Sequence, residues 1–292
     1  QADTHANPDQ IPDAGATFRV PVHSIALTTE LPVQGPFLSV FAIAFAAALS
    51  SLAGGAAAIF FRPSSLFLSN CVGFAGGVLL GTFAFAMMPK ALELSALVEA
   101  VAGFATGIAL VYGLDLFVNR GAIAGPKAEQ RPQVSRYHRR YRPRGDEVTV
   151  LAAGTSVEEV IEGLTIGVGA AIDPGLALIV GLAIAIDNVS EGLTIGELIR
   201  QDDGAARHSA RILKWTGLIG ISVFASAIAG WLLLNGMPQP LLGFLFAAGA
   251  GGMFYLTVTN LIPEAESRQY LQSAALSIAA GFLVILVLSE LR

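Results

Sequence analysis

The hexapeptide Glu162-Gly-Leu-Thr-Ile-Gly167 recurs as Glu191-Gly-Leu-Thr-Ile-Gly196, and each copy lies inside a long apolar stretch of the chain. Further acidic residues precede both copies, in Ser156-Val-Glu-Glu-Val-Ile-Glu-Gly163 and in Asp187-Asn-Val-Ser-Glu-Gly192. The two apolar stretches are consecutive, so they must run in opposite directions if both cross a membrane. We therefore predict two paired central helices of opposite direction.

Apolar stretches of about 20 residues recur on both sides of this pair, which is the length that crosses a hydrocarbon core about 30 Å thick. Hydrophobic residues make up 54% of the 292 residues and charged residues only 13%, whereas soluble domains carry roughly 25% charged residues. We predict an all-α polytopic membrane protein with eight transmembrane helices. The predicted spans are 37–61, 67–89, 95–118, 149–172, 175–199, 215–235, 240–262 and 270–291.

Two runs of small residues suggest internal symmetry. Gly73-Phe-Ala-Gly-Gly77 lies in the second span and Ala247-Ala-Gly-Ala-Gly-Gly252 in the seventh. They are compatible with inverted repeats around the central pair, a 3+2+3 arrangement that transporters use. A simpler interpretation is that glycine and alanine allow close helix packing. The predicted organisation is a tail at 1–36, helices one to three in 37–118, a basic loop at 119–148, the central pair in 149–199, and a loop with three helices in 200–292.

Basic residues fall mainly in alternate loops, and cytoplasmic loops carry the excess of lysine and arginine. With the tail outside, the inside loops hold 14 of the 17 basic residues, eight of them between Arg120 and Arg144. We therefore expect the N-terminus outside, and we expect that a signal peptide or an expression segment preceded Gln1. The arginine and tyrosine residues of 135–144 also fit a nucleic-acid arm. Their orienting role already accounts for them, so we expect no nucleic-acid partner.

Five carboxylates converge in the central pair. At 100° per residue, Glu158, Glu159 and Glu162 share one face of the fourth span, and Asp187 and Glu191 repeat the i, i+4 spacing in the fifth. An ionised carboxylate at the bilayer centre costs several kcal/mol, and no lysine or arginine lies inside a predicted span to pair with it. Cation coordination is the best remaining account, with protons competing for the same oxygens.

Other polar residues of the spans leave more than one interpretation open. Asn260 offers a carbonyl oxygen near the end of the seventh span, but Asn-x-x-Pro263 is most often only a helix terminus. Asp115 approaches the cytoplasmic end of the third span, where an interfacial residue is expected. The single cysteine, Cys71, excludes an intramolecular disulfide and a cluster of thiolate ligands.

These motifs resemble the ZIP (Zrt/Irt-like) family of divalent metal transporters. The resemblance extends over 37–292 and rests on the acidic central pair, the Gly73–Gly77 run, the Leu-Ile-Pro-Glu264 end of the seventh span and the long loop after the third. In that family, His-Asn-x-Pro-Glu-Gly in the fourth span and a related motif in the fifth form the transport site. The resemblance therefore implies metal ligands at Glu158, Glu159, Glu162, Asp187, Asn188, Glu191 and Asn260.

The chain departs from the family pattern in its ligand types. Glu158 stands at the family's histidine, while Ile161 and Ser190 replace the two prolines, so weaker helix kinks are expected. A second-span position that lines the site in some members falls near Leu79, which cannot bind metal. All four histidines lie outside the predicted spans. The remaining ligands are oxygens, which suit Mn²⁺, Mg²⁺ and Ca²⁺ better than a nitrogen-containing zinc site, although Fe²⁺ and Zn²⁺ also bind carboxylates.

The leading hypothesis is a transporter in a bacterial inner membrane that moves a divalent metal ion through midplane carboxylates toward the cytoplasm. A bundle formed by the first and last helices is expected to move against the others. The alternative is a ZIP-like protein that no longer transports and serves as a metal sensor or as a subunit of a membrane assembly. An aspartyl protease using Asp115 and Asp187 is disfavoured, because Asp115 lies nearer the surface, so no enzymatic activity is predicted. The expected partners are the metal ion as substrate and the lipid bilayer, without an organic cofactor, and small-residue faces permit a homodimer.

Overall fold

The computed structural model describes residues 36–118, 147–202, 208–267 and 270–291, and within them the regular structure is entirely helical. The predictions for the tail and for the basic loop lie outside the described residues, apart from their last residues. Eight helices are formed in the described ranges. They are α1 (Pro36–Phe60), α2 (Ser65–Gly81, continued by Thr82–Met87 and Met88–Leu94), α3 (Leu97–Val118), α4 (Glu147–Ile172), α5 (Pro174–Asp202), α6 (His208–Leu234), α7 (Gln239–Leu256, continued by Thr257–Leu261 and Ile262–Ser267) and α8 (Leu271–Glu290).

Seven of these helices are long and apolar enough to cross a membrane, so the prediction of a polytopic helical membrane protein is confirmed. The helix outside this group is α4. Its 26 residues are long enough to span, but Glu158, Glu159 and Glu162 lie near its middle and lower its hydropathy. The eighth span therefore stays a prediction, although the helix itself is present.

The central pair forms an antiparallel hairpin. A single residue, Asp173, separates α4 from α5, and its carboxylate accepts a hydrogen bond at 2.9 Å from a backbone N–H in the first turn of α5. Gly169 lies against Ala177 near the turn, and Glu159 meets Asn188 further along the same two helices. This alignment brings the two similar acidic segments to the same level.

The hairpin packs between two further helices. α1 runs parallel to α5, with Gly54 directly against Gly192, and α6 runs parallel to α4, with Gly167 against Gly230. α1 and α6 also pack against each other. Backbone approaches backbone at both glycine pairs, so α1, α4, α5 and α6 form one tightly packed group.

The other four helices pack in the same way. α2 runs parallel to α8, with Gly77 against Gly281, and α3 runs parallel to α7, with Gly107 against Gly252. Gly77 and Gly252 belong to the two small-residue runs found in the sequence. The simpler interpretation of those runs, close helix packing, is therefore confirmed.

The expectation that the first and last helices form one bundle is wrong. α1 packs along α5 and α6, whereas α8 packs along α2. The reason is the direction of the glycine faces, since Gly54 faces α5 and Gly281 faces α2. Hydropathy shows that a helix is apolar, but it does not show which neighbour its small residues meet.

The largest hydrophobic core lies between the central pair and the helices α2 and α7. Leu79, Ile166, Ile184, Phe246 and Met253 contribute fully buried side chains to it. This core packs against α4 and α5 next to the segments of both helices that carry the acidic residues. The position of the acidic residues is thus fixed by packing on one side.

Candidate metal site between α4 and α5

The structure places the predicted residues near the middle of α4 and α5. Glu159, Glu162, Asp187 and Asn188 are at most 4% exposed. Glu158 and Glu191 are half-buried. Both helices continue without interruption through Ile161 and Ser190, and the weaker kinks expected at these positions stay a prediction.

All five carboxyl groups are close enough to interact electrostatically. Glu191 interacts with Glu158, Glu159, Glu162 and Asp187, and its carboxyl group is also within hydrogen-bonding reach of Glu159. The charged groups that act on these buried carboxyls are themselves acidic, and none of them is a lysine or arginine of the described part. The structure therefore brings the five predicted residues together, and their role as metal ligands stays a prediction.

Asn188 links α5 to two other helices. Its Nδ2 donates to the Ala47 carbonyl at 3.1 Å and to the Glu159 carboxylate at 3.3 Å. These two hydrogen bonds use both amide protons. The Asn188 Oδ1 is buried and has no hydrogen-bond partner among the described residues. The amide thus fixes α1, α4 and α5 together and leaves one oxygen for another partner.

Three buried oxygens of the predicted site residues have no hydrogen-bond partner among the described residues. They are Oε2 of Glu162, Oδ1 of Asn188 and Oε2 of Glu191. An unsatisfied buried polar group costs about 1–3 kcal/mol, and more when it is charged. These three atoms lie on the facing helices α4 and α5, where a hydrogen-bond donor or a cation would satisfy them.

The site has one open side. Asn260 on α7 is exposed, and its Nδ2 donates to Oε1 of the half-buried Glu158 at 2.8 Å. In the other direction along α4, Ile166 is fully buried, as is Met253 of α7. The site is thus more exposed on the side of Glu158 and Asn260, while the hydrophobic core closes the opposite side.

Two further polar residues belong to this region and were missed from the sequence. Glu264, one helical turn beyond Asn260, acts electrostatically on Asp187. Its i, i+4 spacing from Asn260 is a signal in the sequence, but Pro263 between the two residues favours a helix end there. Ser226 of α6 donates its hydroxyl to the Glu159 carbonyl at 3.3 Å. No pattern of the sixth span distinguishes it from its other serines.

The side chains are not arranged around a single point. Among the described residues, no three histidine, cysteine, aspartate or glutamate side chains stand in a geometry that would hold a metal ion. Of the histidines, His208 is described, and it lies about 27 Å along α6 from Ser226 at 1.5 Å per residue.

Comparison with known proteins identifies relatives over most of the chain. No family model matches the sequence. The chain is 31% identical over 258 residues to the zinc transporter ZupT of Corynebacterium efficiens, covering 85% of this chain and 94% of that protein. It is 30% identical over 260 residues to the ZupT of Corynebacterium glutamicum, covering 86% and 97%. The ZupT of Salmonella paratyphi A is 26% identical over 213 residues, covering 70% and 77%. These relatives bear the names of transporters rather than enzymes.

Proposed function

Since the chain belongs to the ZIP family of metal transporters, we propose that it carries a divalent metal ion across the membrane through the carboxylate cluster of α4 and α5. The observation that carries this proposal is the set of three unpartnered oxygens on Glu162, Asn188 and Glu191. A single divalent cation between the helices would give all three a partner and would offset the repulsion among the carboxylates. Rotation of the glutamate side chains would bring them onto the ion.

The packing of the helices supports eight spans in a 3+2+3 arrangement. α1 packs on α5 as α6 packs on α4, and α2 packs on α8 as α7 packs on α3. α2 and α7 also share an interruption by π-helix, at Thr82–Met87 and Thr257–Leu261. Each contact of the first three helices thus has a counterpart in the last three, as inverted repeats around a central pair require.

Zinc is the first substrate to consider, because the relatives are named zinc transporters. The candidate ligands of this chain are oxygens, with no imidazole among the described residues of the site. Zinc binds nitrogen ligands more favourably than harder ions do. A site that offers oxygens alone removes this advantage and favours the harder ions. We therefore propose that Mn²⁺ competes with Zn²⁺ here more effectively than it does in family members with the motif histidine, and Fe²⁺ is a further candidate.

The open side of the cluster supports a direction of transport. This open side lies toward the N-terminal end of α4 and toward the C-terminal ends of α5 and α7. With the N-terminus outside a bacterial inner membrane, as the basic loops predict, this side faces the cytoplasm and the bound ion leaves inward. Movement of the group α1, α4, α5 and α6 against the other four helices would then expose the cluster to the opposite side.

Uptake into proteoliposomes tests the function. Wild-type protein should take up at least one of Mn²⁺, Zn²⁺, Fe²⁺ and Cd²⁺, and the Glu162→Gln variant should take up none. Metal binding at the cluster without uptake of any ion would contradict the proposal and favour the alternative of a ZIP-like sensor or subunit. Uptake that is unchanged in the variant would remove the cluster from the pathway.

Replacing Glu158 with histidine should shift the ion preference toward zinc. The change introduces a nitrogen ligand on the open side of the cluster, and zinc gains more from nitrogen than Mn²⁺ does. Competition between Zn²⁺ and Mn²⁺ for uptake measures the shift. Glu158→Gln is the matched control, because it removes the same charge without adding an imidazole nitrogen that can bind a metal ion. An unchanged ranking of the two ions would mean that residue 158 does not touch the ion.

A further inference from the structure

α7 changes from α-helix to π-helix at the level of the carboxylate cluster. In the stretch Thr257–Leu261, the Ile262 N–H donates to the Thr257 carbonyl, five residues back instead of the usual four. Asn260 lies inside this stretch and donates its amide to Glu158 at 2.8 Å. A contact to the candidate ligand Glu158 is therefore made from a turn of unusual geometry.

Pro263 gives a physical reason for the wider turn. Proline has no N–H, and in a regular α-helix its ring would collide with the carbonyl four residues back, that of Thr259. A π-turn directly before the proline relieves this collision. α2 repeats the arrangement, since the Met88 N–H donates to the Phe83 carbonyl five residues back, and a proline follows at once. Two occurrences at matching places indicate a built feature of the fold.

A buried threonine begins each π-turn. Thr257 is fully buried, and its hydroxyl donates to the Met253 carbonyl at 2.8 Å. Thr82 is equally buried and donates to the Val78 carbonyl at the same distance. A threonine hydroxyl bonded to the carbonyl four residues back tends to bend a helix. Thr257 thus favours the opening of the helix where the π-turn starts.

The π-turn decides where the following side chains point. One extra residue in a turn rotates everything beyond it by about 100° relative to an uninterrupted α-helix. Asn260 and Glu264 lie in and after the turn, and they act on Glu158 and Asp187 respectively. In an uninterrupted α-helix, Glu264 would be rotated by about 100° from its present direction, and Asn260, which lies inside the turn, by part of that angle.

We propose that Thr257 is a positioning residue for the ion site: by holding the π-turn it directs Asn260 at Glu158. This inference rests on the proposed function of the carboxylate cluster. Asn260 in turn fixes the Glu158 carboxylate on the open side, where an ion enters or leaves. Thr257 itself acts only through α7, because its hydroxyl is taken by the Met253 carbonyl.

A double-mutant cycle on the purified full-length protein tests this role, with Mn²⁺ alone as the probe. Thr257→Val removes the hydroxyl and should weaken Mn²⁺ binding about tenfold, the effect of losing one hydrogen bond to a charged group. Thr257→Ser should restore the affinity. Asn260→Ala should weaken binding to a similar extent, and the double variant should be no weaker than Asn260→Ala alone, because both changes remove one interaction.

Thr106→Val is the matched control. Thr106 on α3 makes the same hydroxyl bond to the carbonyl four residues back, at 2.7 Å, in an uninterrupted helix. Its replacement should leave Mn²⁺ affinity unchanged. Full affinity in Thr257→Val, or a double variant whose loss is the product of the two single losses, would overturn the inference. Thr257→Ala takes the place of the valine variant in the cycle if the latter does not fold.

The two proposals fail in different ways. If Glu162→Gln keeps full Mn²⁺ affinity, the site assignment fails and the positioning role fails with it. If Glu162→Gln abolishes binding while the Thr257 and Asn260 effects are independent, the site stands and only the positioning role is lost.

Discussion

A Glu162→Gln protein should fold normally and bind divalent metal at least roughly a hundredfold more weakly than the wild type. The estimate follows from a loss of about 3–5 kcal/mol when one partner of a buried charge pair is removed, at 1.4 kcal/mol for each factor of ten. Glutamine has nearly the same volume, so the packing around α4 is kept. Without metal, the variant should be at least as stable as the wild type, because one charge leaves a cluster of repelling carboxylates.

Two measurements separate loss of binding from loss of fold. Calorimetric titration gives the affinity, and the Tm of the detergent-purified protein should rise with added metal in the wild type but not in the variant. Glu266→Gln is the matched control, since Glu266 is exposed on α7 beyond the cluster. A Glu162→Gln protein whose Tm still rises with metal would show that Glu162 is not a ligand.

A Gly77→Ala substitution should separate α2 from α8 and lower stability strongly. A Cβ atom at this position would fall on the backbone of Ile278, whose carbonyl oxygen and neighbouring atoms cannot move aside without shifting the helix. Overpacking in a close-packed interior costs about 1–3 kcal/mol and occasionally more. We expect a clear fall in Tm and in the midpoint of denaturant unfolding.

Gly113→Ala is the appropriate comparison, because nothing lies within 4 Å of a Cβ atom at that position of α3. Alanine is the better helix former, so this variant should be as stable as the wild type or slightly more stable. Equal stability of the Gly77→Ala and Gly113→Ala proteins would mean that α2 and α8 are not packed backbone to backbone.

Much of the fold could be predicted because hydropathy and helix length are local properties. The sixth span shows the limit of this signal. Its apolar part was predicted to begin at 215, whereas α6 begins at His208, because Arg211 and Lys214 lie in helical turns that extend past the apolar segment. Lys214 also lies over the Trp215 ring at 5.4 Å, within the range of a cation–π contact. Hydropathy detects the part of a helix that is apolar and not the whole helix.

The central part of the site could be predicted for two reasons. Its acidic residues have helical spacing, and carboxylates inside an apolar span carry a free-energy cost that indicates a functional role. Three glutamates on one face of α4 and the Asp187–Glu191 pair on α5 follow from 3.6 residues per turn alone. The contribution of α7 could not be obtained in this way. The π-turn at Thr257–Leu261 breaks the helical period, and Pro263 suggested a helix end where the helix in fact continues to Ser267. The packing of α1 against α5 and α6 could not be predicted from the sequence, because glycines in several other spans could have formed the same close helix contacts.

Anomalous X-ray diffraction from crystals soaked in Mn²⁺, recorded at the manganese absorption edge, would locate the bound ion. We expect an anomalous peak between α4 and α5, within coordination distance of Glu162, Asn188 and Glu191, and we expect its loss in Glu162→Gln crystals. An ordered protein without a peak there, or with a peak only at other residues, would contradict the assignment of the carboxylate cluster as the ion site.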